Sequence, residues 1–334
     1  MRTPSASIVL PVHNASSHIG SAIDSILNQT YQDFELILID DGSTDQSLFV
    51  MEKYQKCDRR IRIYSRENKG LIYSLNEGIA SARGDWVVRM DADDICMPNR
   101  LSLQLNWLKE TNSEVCGGWV KTFGKTISKT RSYFIGQEAI RLQLLFNSCF
   151  AHPTVVARRT IIENFPYSET AEYAEDYDLW VRLAAADIAM TNYPGVVLKY
   201  RVHAGQITYK KIREQASARK KIADWYRESC FSSSPNELIL QSIMSRWESL
   251  THEQIADVLS FFHEFKRSTG DPEGVVTENA FIFLARHSSI GINMMRQFCS
   301  DLSFGSRHRN ILLMLSTLKA DQFSLIYKIL YRVK

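Results

Sequence analysis

A doubly wound α/β domain followed by an α-helical region is the architecture this sequence predicts, on three observations. Short aliphatic and β-branched runs alternate with helical patterns through about the first ninety residues, the signature of βα units around a parallel sheet. Two of those runs end in carboxylates, Asp40-Asp41 and Asp91-Ala92-Asp93-Asp94. Beyond residue 207 strand-like runs vanish and helical patterns continue to the end, which divides the 334 residues into 1–207 and 208–334.

Each element follows from its local pattern. Ser7 to Val12 is a compact apolar run and reads as a buried strand. A helical stripe through Ile19, Ala22, Ile23, Ile26 and Leu27 follows, with Asn14 or Ser16 as candidate N-cap. Phe34 to Asp41 is the second strand, and Gly42-Ser43-Thr44-Asp45 is a turn that leads into a helix from Gln46 to Lys56. A third strand spans Arg60 to Ser65, a polar loop Arg66 to Gly70, and a helix Leu71 to Ala82. Trp86 to Met90 is the fourth strand. Pro98 is placed near N1 of the next helix, which runs to Lys109. Val115 to Phe123 reads as a strand interrupted at Gly117-Gly118, and Gly136 to Phe146 as a helix. Ala151 to Ala157 reads as a strand entered through a His-Pro corner, Thr160 to Asn164 as a short helix, and Ala174 to Ala184 as a helix with acids in its first turn. Ala189 to Asn192 and Val196 to Tyr200 read as two strands. Helices are expected at Tyr209–Ser229, Pro235–Arg246, Glu253–Lys266, Thr277–Phe298, His308–Leu318 and Phe323–Val333.

Composition narrows the function classes. A hydrophobic content of 45% and a charged content of 23% are those of a globular protein, and a net charge of +3 does not suggest bulk nucleic-acid binding. Six cysteines without a Cys-x-x-Cys pair indicate neither a zinc site nor a redox pair. The N-terminus carries no signal-peptide pattern, and no run reaches the roughly 18 apolar residues of a membrane span. A cytoplasmic protein is expected.

The acidic strand ends carry the chemical argument. Right-handed crossovers place Val12-His13, Asp40-Asp41 and Asp91-Asp93-Asp94 on one rim of the sheet, where α/β folds bind ligands. Three carboxylates within four positions need a partner when taken out of water. A hard divalent cation, and through it a phosphate, is the simplest one. A solvated turn that caps the next helix is the competing explanation. For Glu175, Asp176 and Asp178 the competing explanation is stabilisation of a helix N-terminus.

Ile8 to Asn14, Ile39 to Asp45, Asp91-Ala92-Asp93-Asp94, His152-Pro153-Thr154 and Glu175 to Trp180 occur in that order. Together they resemble the inverting glycosyltransferases of family 2, with the GT-A (nucleotide-diphospho-sugar transferase-like) fold, over about residues 5 to 208. The resemblance implies a nucleotide-sugar donor, Mn2+ or Mg2+, and transfer to an acceptor hydroxyl with inversion. It implies that Asp41, with Asp40 beside it, meets the donor base, and that the backbone around Val12 lies under that base. Asp91 is expected near the ribose, with Ala92 in the same motif, and Asp93 at the metal on the diphosphate. Asp94 extends the motif, and Asp176 is the expected catalytic base, with Glu175 beside it.

Other roles are left open between two readings. Arg66 meets the nucleotide or is a solvated loop charge. His203 and Gln206 reach the metal or diphosphate or belong to a surface loop. His152 shapes the acceptor pocket as a corner residue. Trp119 is a core residue or a sugar platform, and Arg89 is expected to pair with a carboxylate. The absence of a Gln-x-x-Arg-Trp motif and of membrane spans favours transfer of a single sugar, with UDP as the expected nucleotide and a lipid-linked or surface-polysaccharide oligosaccharide as acceptor. The basic helix and the amphipathic tail in 208–334 are expected to contact a membrane surface or to pack as a bundle. A nucleotidyltransferase and an inactive nucleotide-sugar-binding module are the alternative functions. Leu10 to Asn14 is not the Gly-rich loop of the former, and Asp41, Asp91, Asp93 and Asp176 are all present against the latter.

Overall fold

A computed structural model describes residues 3–125, 127–203, 212–230 and 252–286. The chain forms two compact units, Met1–Cys230 and Phe231–Lys334. Gln206 and the expected helices Pro235–Arg246, His308–Leu318 and Phe323–Val333 lie outside the described residues.

The first unit is built on β1 (Ala6–Val12), β2 (Phe34–Asp41), β3 (Ile61–Arg66) and β4 (Trp86–Arg89), interleaved with α1 (Ile19–Leu27), α2 (Ser47–Cys57) and α3 (Leu71–Ala80). β1 pairs in parallel with β2 and β4, and β2 with β3. The chain therefore winds outward from β1 through β2 to β3, then returns to the other side of β1 at β4. That reversal is a topological switch point, and the crevice it opens lies at the carboxyl ends of β1 and β4. β1 and β2 are buried along almost their whole length, as continuous apolar runs covered on both faces must be.

Beyond β4 the sheet is mixed. β5 (Ile95–Cys96), α4 (Arg100–Glu110), β6 (Val115–Gly124), β7 (Thr130–Arg131), α5 (Gln137–Gln143), β8 (Val156–Arg158), α6 (Arg159–Asn164), α7 (Glu175–Ala185) and β9 (Met190–Val202) follow. Among the described residues nine strands form one sheet in the order β3-β2-β1-β4-β8-β6-β9-β5, with β7 on β6. β8 is antiparallel to β4 and β6, and β9 is parallel to β6.

Several sequence expectations are corrected here. α1 begins at Ile19 without a side-chain cap. Asn14 instead turns its Oδ1 to the Thr44 N–H, 2.8 Å away, so it ties the β1 loop to the β2 loop. α4 starts at Arg100, with Pro98 ahead of it rather than at N1. Met97 is held back because its N–H donates to Val197 O at 2.9 Å, extending the β5–β9 pairing. Gly117-Gly118 does not interrupt β6 but permits close packing. A Cβ on Gly118 would stand 2.5 Å from Val197 Cγ2. The two expected strands after residue 189 are one strand, with a register shift where β6 passes Gly118–Val120. His152–Thr154 is a 3-10 turn, because Thr154 Oγ1 donates to Ala151 O at 2.7 Å and accepts the Gly118 N–H at 3.1 Å.

α8 (Ile212–Cys230) falls within the first compact unit. Tyr226 donates its hydroxyl to Arg141 O at 3.2 Å, and Arg219 donates to Asn147 Oδ1 at 3.3 Å. In the second unit α9 (His252–Thr269) and α10 (Val275–Arg286) form a hairpin. The Asp271 carboxylate accepts the Val276 N–H at 2.7 Å, and Phe262 packs on Phe283. No helix among the described residues is long and apolar enough to cross a membrane.

At the amino-terminal end of β2, away from the crevice, Glu35 is buried. Its carboxylate accepts Ser7 Oγ at 2.7 Å, the Arg83 N–H at 2.9 Å, Arg83 Nη2 at 2.6 Å and Arg62 Nη1 at 2.9 Å. Burial works against the charge, but Arg83, Ser7 and Arg62 outweigh it and hold the carboxyl below its ordinary value. Glu35→Ala is expected to lower the unfolding free energy by about 2 kcal/mol, the scale of hydrogen bonds to a buried charge. Because the folded-state pKa is depressed, that contribution is present above pH 4.5 and is lost as pH falls through the lower folded value. Urea denaturation of both proteins at pH 7 and at pH 3 measures the difference and its loss.

Candidate active site

The crevice at the switch point is bounded by two acidic strand ends with different fates. At the end of β2, Asp40 and Asp41 are buried. Asp40 closes its own turn, accepting the Ser43 N–H at 3.2 Å and Ser65 Oγ at 2.7 Å. Asp41 organises the loop after β3. It accepts the Lys69 N–H at 2.8 Å, the Gly70 N–H at 3.0 Å and Arg66 Nη1. Burial opposes the Asp41 charge, and these donors more than offset it, so the carboxyl sits below its ordinary value. Gly70 takes φ 88°, a conformation that suits glycine and lets successive N–H groups face one carboxylate. Arg66 is committed to this clamp: it also donates to Glu77 Oε2 at 2.8 Å and Ser74 Oγ at 2.9 Å, so it is not a solvated charge. Val12, buried, stands opposite Asp40 in the β1–β2 register. Beyond it the exposed His13 places Nδ1 2.9 Å from Asp41 O and 3.1 Å from Asn68 Nδ2.

The second acidic end, after β4, is not fully satisfied. Asp91, Asp93 and Asp94 each bring an oxygen within 4.8 Å of the others, a group that could hold a metal ion. Asp91 pairs with Arg89, Oδ2 to Nη1 at 2.6 Å. Asp93 Oδ2 lies 2.8 Å from His203 Nε2. Asp94 is fully buried, and its Oδ1 accepts the Arg201 N–H at 2.8 Å. Among the described residues its Oδ2 is buried with no hydrogen-bond partner, an orphaned acceptor of the kind native folds avoid. Burial first, then the charges of Asp91 and Asp93, push the Asp94 carboxyl well above its ordinary range. Burial, with the charge of Asp93 behind it, likewise raises Asp91 against the opposing pull of Arg89 and Arg100. The donor set is all hard oxygen, and its mutual repulsion is what a divalent cation relieves; Mn2+ or Mg2+ fits these residues. Ala92, half-buried, packs its methyl against the core beneath the turn.

A third group comes from α7. Tyr173, at φ 70°, turns the chain sharply ahead of the helix, and Glu175 and Asp176 occupy its first turn, half-buried. Asp176 Oδ1 accepts the Tyr177 N–H at 2.8 Å. Burial and the Asp176 charge push the Glu175 carboxyl up to about 7. The charge of Arg89 pulls against this rise, and that of Asp91 adds to it. His152 is buried with Nε2 2.7 Å from Tyr167 OH. Burial and Arg89 hold its pKa well below the usual value, and it stands at the start of the 3-10 turn. Trp180 is core, and Trp119 is half-buried with Nε1 donating to Tyr133 O at 3.2 Å.

Three residues escaped the sequence reading. Arg100 is fully buried and donates Nη2 to Arg89 O at 2.8 Å. Arg201 donates Nε to Asp93 O at 2.6 Å. Tyr167 meets His152. A basic residue two places before His203 was the available signal for Arg201. Nothing in the local pattern marked the others.

Residues 7–165 match the family described as Glycosyl transferase family 2. An uncharacterized glycosyltransferase of Haemophilus influenzae is 31% identical over 236 residues, 66% of this chain and 72% of that protein. The O-antigen biosynthesis glycosyltransferase WbnJ of Escherichia coli is 32% identical over 203 residues, 59% of this chain and 79% of that protein. Among solved structures, S. aureus TarS 1–349 in complex with UDP-GlcNAc aligns with a TM-score of 0.55 at 17% identity, covering 92% of this chain and 90% of that one. The mannosyltransferase PcManGT from Pyrobaculum calidifontis, in complex with GDP-Man and Mn2+, aligns at 0.52 and 15% identity, covering 100% of this chain and 89% of that one.

The Glu175 carboxyl is raised in the folded state, so its contribution to stability is full below the unfolded value of 4.5 and is lost as pH rises through about 7. Glu175→Gln removes that loss. Its melting temperature is therefore expected to gain on the wild type between pH 5 and pH 8. Thermal unfolding at both values checks this, and an equal difference at the two would contradict it.

Proposed function

The chain belongs to glycosyl transferase family 2 and is a glycosyltransferase of the GT-A fold, and on that premise we propose that it moves one sugar from a nucleotide sugar to an acceptor hydroxyl with inversion at the anomeric carbon. The observation that carries this reading is the convergence of Asp91, Asp93 and the orphaned Asp94 Oδ2 at the switch point. Mn2+ or Mg2+ would be held by Asp93, with Asp94 and His203 beside it. When bound, the ion supplies Lewis-acid charge to the leaving diphosphate.

The remaining roles belong to the chain itself. Val12 and His13 with the Asp41-clamped loop form the base side of the donor cleft, with Asp40 bracing the turn. Arg66 acts there through Asp41. Asp91 receives the ribose. Asp176 accepts the acceptor hydroxyl's proton as that oxygen bonds the anomeric carbon. The bond from the anomeric carbon to the diphosphate breaks, and its electron pair leaves with the nucleoside diphosphate. One displacement from the opposite face needs one base, so the carboxylate pair of glycosidases is not required.

UDP is the proposed nucleotide, supported by UDP-GlcNAc in the TarS structure. An oligosaccharide of a lipid-linked or surface polysaccharide is the proposed acceptor, supported by the O-antigen assignment of the Escherichia coli relative. Peripheral contact with the inner face of a cytoplasmic membrane is proposed for α8. Lys220, Lys221 and Trp225 are exposed there, while Arg227 is buried against Asp224.

Donor hydrolysis with Mn2+ across a panel of nucleotide sugars tests the reading. The wild type is expected to favour a UDP-sugar. Asp176→Asn is expected to lose about a hundred- to ten-thousandfold in kcat, the range of a general base. Asp93→Ala is expected to abolish metal-stimulated turnover. Activity that survives both substitutions would sink the mechanism. For the membrane contact, co-sedimentation with anionic liposomes should weaken in Trp225→Ala, and equal recovery in the supernatant with and without liposomes would end that proposal.

A further inference from the structure

Arg89 is the last residue of β4 and is buried in the sheet, with its N–H on Val155 O at 2.9 Å. A guanidinium is always charged, and burying one without compensation is costly. Among the described residues its one ion pair is with Asp91, at 2.6 Å. Its Nε has no hydrogen-bond partner among the described residues. On that side it borders a small apolar cavity that it shares with Tyr167, Val155 and Ile162. The side chain is thus anchored at one end by Asp91 and is otherwise held by packing.

The charges around it come from several elements. Asp91 and Asp94 lie on the acidic turn, Tyr167 and His152 on the segments flanking β8 and α6, and Glu175 on α7. Asp176 acts on the same Tyr167. Arg89 is therefore a buried cation whose charge acts on both the acidic turn and the first turn of α7.

We infer that Arg89 is a positioning residue common to both halves of the site: its buried guanidinium aims the Asp91 carboxylate into the donor cleft and supplies the positive charge against which the Glu175–Asp176 pair is set. The inference rests on the family reading above and adds a residue outside the acidic motifs. Asp91 stands among like charges, and among the described residues Arg89 is its one ion-pair partner, while Arg100 acts on it through charge alone. Glu175 would likewise face Asp176 and Asp91 with less opposing charge, and its carboxyl would rise further.

The test compares the full-length wild type with Arg89→Lys and Arg89→Met. UDP binding in the presence of Mn2+ is measured by titration calorimetry, and the pH profile of kcat for donor hydrolysis is measured beside it. Arg89→Met is expected to bind UDP about tenfold more weakly, the scale of one charge-assisted hydrogen bond. Its acid limb should move to higher pH. Arg89→Lys keeps the charge but not the planar fork. It should restore the acid limb while leaving UDP affinity reduced. A folded Arg89→Met with wild-type affinity and profile would overturn the inference. If Arg89→Met does not fold, Arg89→Lys decides: reduced affinity supports the inference and wild-type affinity overturns it. Failure of the family reading shows elsewhere, as a wild type that neither binds UDP or GDP nor hydrolyses any nucleotide sugar, and the inference would fall with it.

Discussion

Three carboxylates at the end of one buried strand are the constraint around which the first unit is arranged. Asp91, Asp93 and Asp94 could not sit together at the mouth of a sheet unless positive charge came with them. Arg89 brings it from within β4, and Arg100 brings it from the first turn of α4, donating to the Arg89 carbonyl at 2.8 Å. Arg201 arrives from the far end of β9 and binds both the Asp94 carboxylate and the Asp93 carbonyl. The β5–β9 pairing, which brings the end of β9 beside the acidic turn, is therefore part of the charge balance as well as of the sheet.

The balance is deliberately incomplete in one place. At β2 every acidic oxygen described has a donor within the protein, from Ser43, Ser65, Lys69, Gly70 or Arg66. At β4, Asp94 Oδ2 has none among the described residues. Two motifs that look alike in sequence thus differ in kind. The first gathers donors from a loop, and these lower the Asp41 pKa against its burial; in the second, burial first and then the neighbouring carboxylate charges raise the pKa values of Asp91 and Asp94. A site that is to recruit a cation must leave something for the cation to satisfy.

Much of this was legible residue by residue. The alternation of apolar runs with helical stripes located β1 to β4 and α1 to α3 to within a residue or two at most ends, because β1, β2 and β4 are buried along their length and so read as apolar runs, while the edge strand β3 still shows Ile61, Ile63 and Tyr64. The acidic ends were visible for the same reason: charge stands out against such runs. Legibility failed where a residue answers to a distant partner. Pro98 looks like a helix start, but Met97 is held by Val197. Asn14 looks like a cap for α1, but its acceptor serves Thr44. The Gly117-Gly118 pair looks like a break, but Val197 and Asn192 occupy the space a side chain would need.

The sequence by itself determined the α/β class, the family and the identity of the acidic residues, because periodicity and motif chemistry are local properties of the chain. Only the tertiary structure decided which of those acids are spent and which are left over. Asp41 and Asp94 are both aspartates at strand ends, and no neighbour in sequence distinguishes them. What distinguishes them is whether the fold brings N–H and guanidinium donors to both oxygens or to one. Those donors come from residues 66–70 for Asp41 and from residue 201 for Asp94, across distances in sequence that local patterns do not span.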